Sequence, residues 1–330
     1  MRLRTILPFI INFAARITRL TMQPIIDAIE RERIEAELTE ERFLRNTNNA
    51  DNRIYVITAA DSPCTMREIG RLREEAFRSA GGGTGAALDI DGEDLAPDGY
   101  NQLIVWDPVH REIVGGYRYI ICRTPHPAHL STEHYFEFSE RFRHEFLPYT
   151  IELGRAFVQP AYQGTRTNPK GIYALDNLWD GLGALIVNNP GVKYFFGKVT
   201  MYDRFRKEAR NMLLYFLYRY FPDRDALMTP RERFDLEMDT AYYDTLFSGA
   251  DYTENYRILS REMRNLGENV PPMISAYMGL SPSMRVFDTV RNPDFGNTLE
   301  TGLLITIDDI YPKQSERHTQ GLAIKHFECI

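Results

Sequence analysis

The stretch YTIELGRAFVQPAYQGTRTNPKGIYALDNLWDGLGALIVNNPGVKYFFGKVTM, residues 149–201, decides the fold. Its first part, YTIELGRAFVQP (149–160), is dense in β-branched and aromatic residues and is expected to be a strand. YQGTRTNPKG (162–171) follows as a polar, basic loop. Leu175, Leu178, Trp179, Leu182, Leu185 and Ile186 then recur at helical spacing, and Asn188-Asn189-Pro190-Gly191 ends that helix. VKYFFGKVTM (192–201) returns as a buried strand. A strand, a basic loop, a helix and a second strand place a helix N-terminus, with its free N–H groups and positive dipole end, where it can meet an anion.

Upstream, residues 22–45 have acidic and basic residues alternating at helical spacing, the pattern of a solvated helix. NTNNADN (46–52) is a polar break and the expected domain boundary. IYVIT (54–58) is a short strand. Thr65 and Glu68 then have capping-box spacing ahead of Met66, Ile69, Leu72, Ala76 and Phe77. The glycine-rich segment GGGTG (81–85) has no GK[ST] after it and is not a Walker loop. NQLIVW (101–106) and REIVGGYRYIIC (111–122) are paired strands around Asp107-Pro108. Downstream, residues 204–283 are largely helical, and MRVFDTV (284–290) and LLITIDDI (303–310) form a last strand pair. This order packs as a mixed α/β sheet with helices on both faces. The expected organisation is an N-terminal helical arm over residues 1–50, a main domain over 51–312 with a helical insertion at about 204–283, and a tail over 313–330.

The chain has 330 residues, 43% hydrophobic and 26% charged, enough to fill a core without disulfides or metal. Its net charge of −7 argues against nucleic-acid binding. Cys64, Cys122 and Cys329 are far apart, and the seven histidines form no HExxH or HxxxH, so no metal site is expected. The cysteine usage suits a reducing cytoplasm. Residues 1–20 set a short apolar run between Arg2, Arg4, Arg16 and Arg19. The run is too short to span a bilayer. It is either a basic amphipathic anchor on the inner face of a membrane or a helix packed on the body.

Arg73-x-x-x-Phe77, Asp91-x-x-Asp94, Gly115-Gly116-Tyr117-Arg118 and Glu152-Leu153-Gly154-Arg155 stand in fixed order. With FEFSERF (136–142), LWDGLGALI (178–186), YFFGKVTM (194–201) and PDFGNTLETGLLITIDD (293–309), they resemble the ornithine/glycine–acyl carrier protein N-acyltransferases of amino-acid lipid synthesis, a group often labelled hemolysin-like. The resemblance covers about residues 54–310. It implies the GNAT (GCN5-related acetyltransferase) fold, in which two central strands splay and an acyl donor's pantetheine arm lies in the gap. Those strands would be 150–158 and 192–200. Gln163, Gly164, Arg166, Lys170 and Gly171 would then hold the donor phosphate. The Q/R-x-x-G-x-G/A pattern of acetyl-CoA-binding members is not matched cleanly here, which leaves room for acyl carrier protein as donor beside acyl-CoA. No tightly bound cofactor is implied.

Amide formation from a thioester needs a neutral amine, a polarised carbonyl and an exit for the thiolate. Glu152 is the candidate base; its alternative is a structural pair with Arg155 or Arg118. Side chains alternate along a strand, so Glu152 and Arg155 share a face only if a bulge intervenes near Gly154. Arg118 and Arg155 either bind the acceptor's carboxylate or organise Asp91 and Asp94 in ion pairs. Asp91 and Asp94 are in turn candidates for the substrate amine. Tyr202 is a candidate proton donor to the leaving thiol, and Arg73 and Phe77 complete the substrate wall by resemblance. The leading expectation is transfer of a 3-hydroxylated fatty acyl group to an amino acid, glycine ahead of ornithine. Acyl-homoserine-lactone synthesis and a membrane-active, non-enzymatic role are the alternatives.

Overall fold

A computed structural model describes residues 22–122, 130–163, 169–319 and 321–322. In chain order its elements are α1 (Arg31–Glu37), β1 (Phe43–Asn46), β2 (Arg53–Ile57), α2 (Pro63–Ala80), α3 (Gly92–Leu95), β3 (Asn101–Asp107) and β4 (Glu112–Ile121). Then follow β5 (Phe136–Phe138), β6 (Thr150–Val158), α4 (Ala174–Asn188), β7 (Tyr194–Met201), α5 (Lys207–Tyr220), β8 (Met228–Pro230) and α6 (Thr240–Leu246). The chain finishes with α7 (Tyr252–Asn265), α8 (Pro272–Met278), β9 (Arg285–Asn292), β10 (Thr298–Thr306) and α9 (Pro312–Thr319).

Eight strands form one sheet in the order β1-β2-β3-β4-β6-β7-β10-β9, and β5 pairs with β8 apart from it. Strand alternation sorts the core. Ile54, Leu103 and Val105 face α4 and α5 with Leu178, Leu182, Leu213 and Leu217. Tyr55, Ile57, Ile104 and Trp106 face α2 with Met66, Ile69 and Leu72. A third cluster, Phe136, Phe138, Phe142, Phe196 and Phe287, fills the end near β9. Helices therefore cover both faces, the arrangement that a two-sided apolar sheet requires.

The other ladders of the sheet are antiparallel; β6 and β7 run parallel. Their register runs only from Thr150↔Tyr194 to Leu153↔Gly197, and beyond it the two strands part. The bulge is present on the other side of β6. Between the pairs Arg118↔Gly154 and Gly116↔Phe157, β6 carries one residue more than β4. Arg155 takes φ +50° there, a conformation a non-glycine residue holds only when its surroundings fix it. The glycine pair of β4 has its own reason. A Cβ on Gly115 would come within 2.5 Å of the Phe157 carbonyl oxygen, and one on Gly116 within 2.5 Å of that of Leu103.

Three local expectations are corrected. Residues 46–52 are no boundary: they make the hairpin loop joining β1 to β2, with Ala50 and Asp51 at positive φ, so the main sheet begins at Phe43. The helix in 22–45 is confined to Arg31–Glu37. α2 starts at Pro63, ahead of the expected cap. Its free N–H groups at Cys64 and Thr65 are taken by Glu37 of α1, at 3.0 and 2.7 Å, while Glu68 binds the Ile29 N–H and Arg71. A carboxylate from another element thus does what a local cap would have done. The C-terminal segment is not a free tail, because α9 packs on α4 through His318 Nδ1 and Asp180, 2.8 Å apart and buried. The arm at residues 1–20 lies outside the described residues, and so does Cys329. Among the described residues no helix is long and apolar enough to cross a membrane.

Candidate active site

A cavity of about 300 Å³ opens where β6 and β7 part. Leu153, Gly154, Arg155 and Ala156 of β6 form one side, and Lys198, Val199, Thr200 and Tyr202 at and after β7 form the other. Its lining is polar at Asp91, Arg118, Ser131 and Glu300, and apolar along Pro271 to Ile274.

Behind the polar part of that lining, six charged groups neutralise one another. Arg73 is fully buried, 3.1 Å from Asp94 Oδ2, and bonds Gln102. Arg118 donates to both oxygens of Asp91 at 2.7 Å and lies 3.2 Å from Asp94. Arg155 approaches Asp89 at 3.2 Å and Asp91 at 3.6 Å. The bulge makes the last contact possible, since it turns Arg155 onto the face of Arg118. Asp91 and Asp94 also cap the two ends of each other's turn: Asp91 Oδ1 accepts from the Asp94 N–H and Asp94 Oδ2 from the Asp91 N–H. Burial opposes the charge on Arg118, but Asp94 and Asp91 outweigh it and hold its pKa above the ordinary arginine value. Burial raises the pKa of Asp89, against the pull of Arg155 and Arg73. The structure shows the ion-pair arrangement for these arginines: Asp91, Asp94, Arg118 and Arg155 are paired, and Arg118, Arg155, Asp91 and Phe77 also line the cavity.

Glu152 is fully buried and stands one layer behind the cavity. It accepts from Tyr100 Oη at 2.5 Å, Ser131 Oγ at 3.1 Å, the Thr132 N–H at 3.0 Å and the Thr132 hydroxyl. Of these donors Ser131 also faces the cavity. Tyr202 lines the cavity, and burial together with Glu300 pushes its pKa up to about 12.

Of the expected donor-phosphate residues, the described ones do not line the cavity. Gly164 and Arg166 fall outside the described residues. Gln163 is exposed and donates to the Val158 carbonyl at 2.5 Å. Lys170 pairs with Asp107 at 3.0 Å, and Gly171 sits in the turn Pro169–Tyr173 that leads into α4. Among the described residues, the Tyr173 side chain at the start of α4 makes no capping hydrogen bond. Asp107 is a hub. Burial alone would raise its pKa, yet His110, Lys170 and the N–H groups of Val109 and His110 hold it down at about 2.

Sequence reasoning missed Lys198, Glu300, Ser131 and Tyr100. Lys198 and Glu300 left a signal: each is the lone charge in its strand, YFFGKVTM and TLETGLLIT. Ser131 and Tyr100 left none, because their meeting with Glu152 depends on how separate segments fold together.

A parallel seam that splits into a cleft, a strand bulge beside it and a lining of both charged and apolar side chains define an acyltransferase of the GNAT fold. Residues 72–169 match the family model described as an acetyltransferase (GNAT) domain. The chain is 50% identical over 314 residues to a glycine N(alpha)-acyltransferase of Phocaeicola vulgatus, covering 94% of this chain and 96% of that one. It is 51% identical over 314 residues to one of Bacteroides thetaiotaomicron, covering 94% and 93%. The chain belongs to this glycine N(alpha)-acyltransferase family. Among solved structures, a CoA-dependent acyl-homoserine lactone synthase, MesI, aligns over 82% of this chain and 96% of its own, with 14% identity and a TM-score of 0.32, too distant to bear on the assignment.

Proposed function

We propose that the protein moves a 3-hydroxylated fatty acyl group from the phosphopantetheine of acyl carrier protein to the α-amine of glycine, for amino-acid lipid synthesis. The observation that carries the reading is the cavity at the split seam, whose lining holds both charged and apolar side chains. The acceptor is taken from the two relatives named for glycine. For the donor, the support is the N-terminus of α4 and the basic loop before it, Gln163 to Gly171, whose departure from the usual CoA pattern favours a carrier-bound arm.

In the reaction the amine lone pair attacks the thioester carbon, and the C–S bond breaks with its electrons going to sulfur. The glycine ammonium loses two protons in becoming an amide N–H. The thiol takes its proton from Tyr202, one of the two restores Tyr202, and the other reaches solvent. Glu152 acts as base at one remove: Ser131 takes a proton from the nitrogen while handing its own to Glu152. Tyr202, protonated at neutral pH with a pKa of about 12, donates to the leaving sulfur. The carbonyl oxygen meets backbone N–H groups of β6 past Leu153, where the ladder to β7 has ended. Arg73, Asp94, Arg118, Asp91 and Arg155 hold the polar wall in shape, and Phe77 packs edge-on against Phe295, 5.1 Å between ring centres, to close it. Residues 1–20 would hold the enzyme at the cytoplasmic face of an anionic membrane, where its single-chain amphiphilic product belongs.

The test is an assay of the full-length protein with acyl carrier protein or CoA carrying the same acyl chain, and glycine or ornithine as acceptor. N-acylglycine formed preferentially from the carrier-bound donor is the expected result. Equal use of free acyl-CoA would remove the carrier protein from the reading, and preference for ornithine would remove glycine.

A further inference from the structure

Among the described residues, two opposite charges that line the cavity have no ion-pair partner. Lys198 is half-buried on β7, and among the described residues its Nζ bonds hydroxyl oxygens alone, Ser131 Oγ at 3.3 Å and Thr132 Oγ1 at 3.5 Å. The Tyr135 ring lies 5.4 Å from the same ammonium. Glu300 on β10 is almost fully buried, and its donors are all neutral: Thr200 Oγ1 at 3.0 Å, Asn292 Nδ2 at 3.2 Å and Thr298 Oγ1 at 3.4 Å. Among the described residues neither group has an opposite charge within the 4.0 Å of an ion pair, whereas Arg73, Arg118 and Arg155 all do.

The strands put the two on one face. Glu300 stands directly across from Thr200 in the β7–β10 ladder, and Lys198 is two residues before Thr200, hence on the same side. Both line the cavity. Burial lowers the pKa of Lys198, and first Glu152, reached through the Ser131 and Thr132 hydroxyls, and then Glu300 counteract that fall, so the field of Glu300 also reaches the ammonium. They are thus neighbours held too far apart to pair, each facing the same small volume. Burying a charge without its partner is costly, and a site keeps such charges when a ligand supplies the missing ones.

We propose that Lys198 and Glu300 are the acceptor subsite and bind the amino acid as a zwitterion, its carboxylate on Lys198 and its ammonium on Glu300. The inference rests on the amino-acid acylation reading above and adds what recognises the acceptor. Ser131 touches Lys198 and also donates to Glu152, so a carboxylate on Lys198 sets the nitrogen beside the proton relay. The Arg118–Asp91 group, already neutralised, is left as wall and not as carboxylate receptor.

The experiment compares glycine with glycinamide, which lacks the carboxylate charge, in the wild-type protein and in Lys198→Met, Lys198→Arg and Glu300→Gln, with saturating acyl donor. In wild type, glycine should be favoured over glycinamide. Lys198→Met should raise the glycine KM by about 10–100-fold and bring glycine and glycinamide to parity, with the donor KM unchanged. Lys198→Arg should restore much of the preference, and Glu300→Gln should weaken both acceptors alike. Thermal melts confirm folding, and Lys198→Gln replaces Lys198→Met if the latter does not fold. A Lys198→Met or Lys198→Gln enzyme that keeps the wild-type preference overturns the subsite. If wild type acylates another α-amino acid in place of glycine, the glycine reading fails by itself, and the same comparison with that acid and its amide decides the subsite.

Discussion

Glu152 has the saturated surroundings of a group that works through its neighbours. Four donors occupy its oxygens, and only the Ser131 hydroxyl continues to the cavity. Ser131→Ala should therefore lower kcat by about 10–10³ with folding intact, and Glu152→Gln by about 10²–10⁴. Wild-type turnover in Ser131→Ala would sink the relay. Asp107 makes a prediction about pH. Its carboxyl titrates at about 2 in the folded protein, below the ordinary value near 3.8. A depressed pKa contributes stability that is fully present above the unfolded value and is lost as pH falls toward 2. Asp107→Asn should thus melt lower than wild type at pH 6, and the gap should narrow as the pH is taken below 4, a trend that melting curves across that range would reveal. A gap independent of pH would show that Asp107 contributes shape and not charge.

At the level of elements, α8 is the part of the helical insertion that reaches the site. Ile274 and Tyr277 line the main cavity and also a small apolar void of about 10 Å³ behind it, with Leu217, Met284, Val286 and Leu303. They form the partition at the far end of the path an acyl chain would take. Ile274→Ala should join the two spaces and shift the products toward longer chains, at a stability cost of about 2–4 kcal/mol. Mass spectrometry of products from mixed-length donors would show it; an unchanged chain profile would place the acyl group elsewhere. The strands around the cleft were legible because each carries its own apolar run and turn signal. The bulge in β6 was legible only as a condition, since Glu152 and Arg155 could share a face in no other way. The start of α2 and the β1–β2 hairpin were misread for the opposite reason. Glu37 caps α2 from another element, and NTNNADN serves equally well as a linker or a hairpin loop until its flanking strands are seen to pair.

Across the whole molecule, the C-terminal helix acts as a clasp. His318 bonds Asp180 of α4, Arg45 next to β2 donates to the His318 carbonyl at 2.7 Å, and Asn48 bonds both Asp180 and the Arg317 carbonyl. Ending the chain after Tyr311 should lower Tm by several degrees, because Arg45 and Asp180 would lose buried partners. An unchanged Tm would return this segment to the status of a tail. Deleting residues 1–20 should release the enzyme from anionic vesicles while leaving turnover of soluble substrates nearly unchanged, each basic residue near the surface being worth about 1 kcal/mol. Loss of folding would make the arm part of the body. The clasp could not be foreseen, because its bonds join residues hundreds of positions apart, whereas the mixed sheet followed from local patterns in their order.

The β6–β7 seam has a consequence for synthesis. Every strand on one side of it, β1 to β4 and β6, leaves the ribosome before any on the other, β7, β9 and β10. During that interval β6 is a bare edge with its ladder groups unfilled, the configuration most open to pairing with the wrong chain. Asp91, Arg118 and Arg155 are then already in place, while Lys198 and Glu300 have yet to be made. A nascent chain stalled before β7 is therefore a sticky part-sheet with an incomplete catalytic centre, and separately expressed halves divided at Asn189–Gly191 should regain turnover only on reassociation.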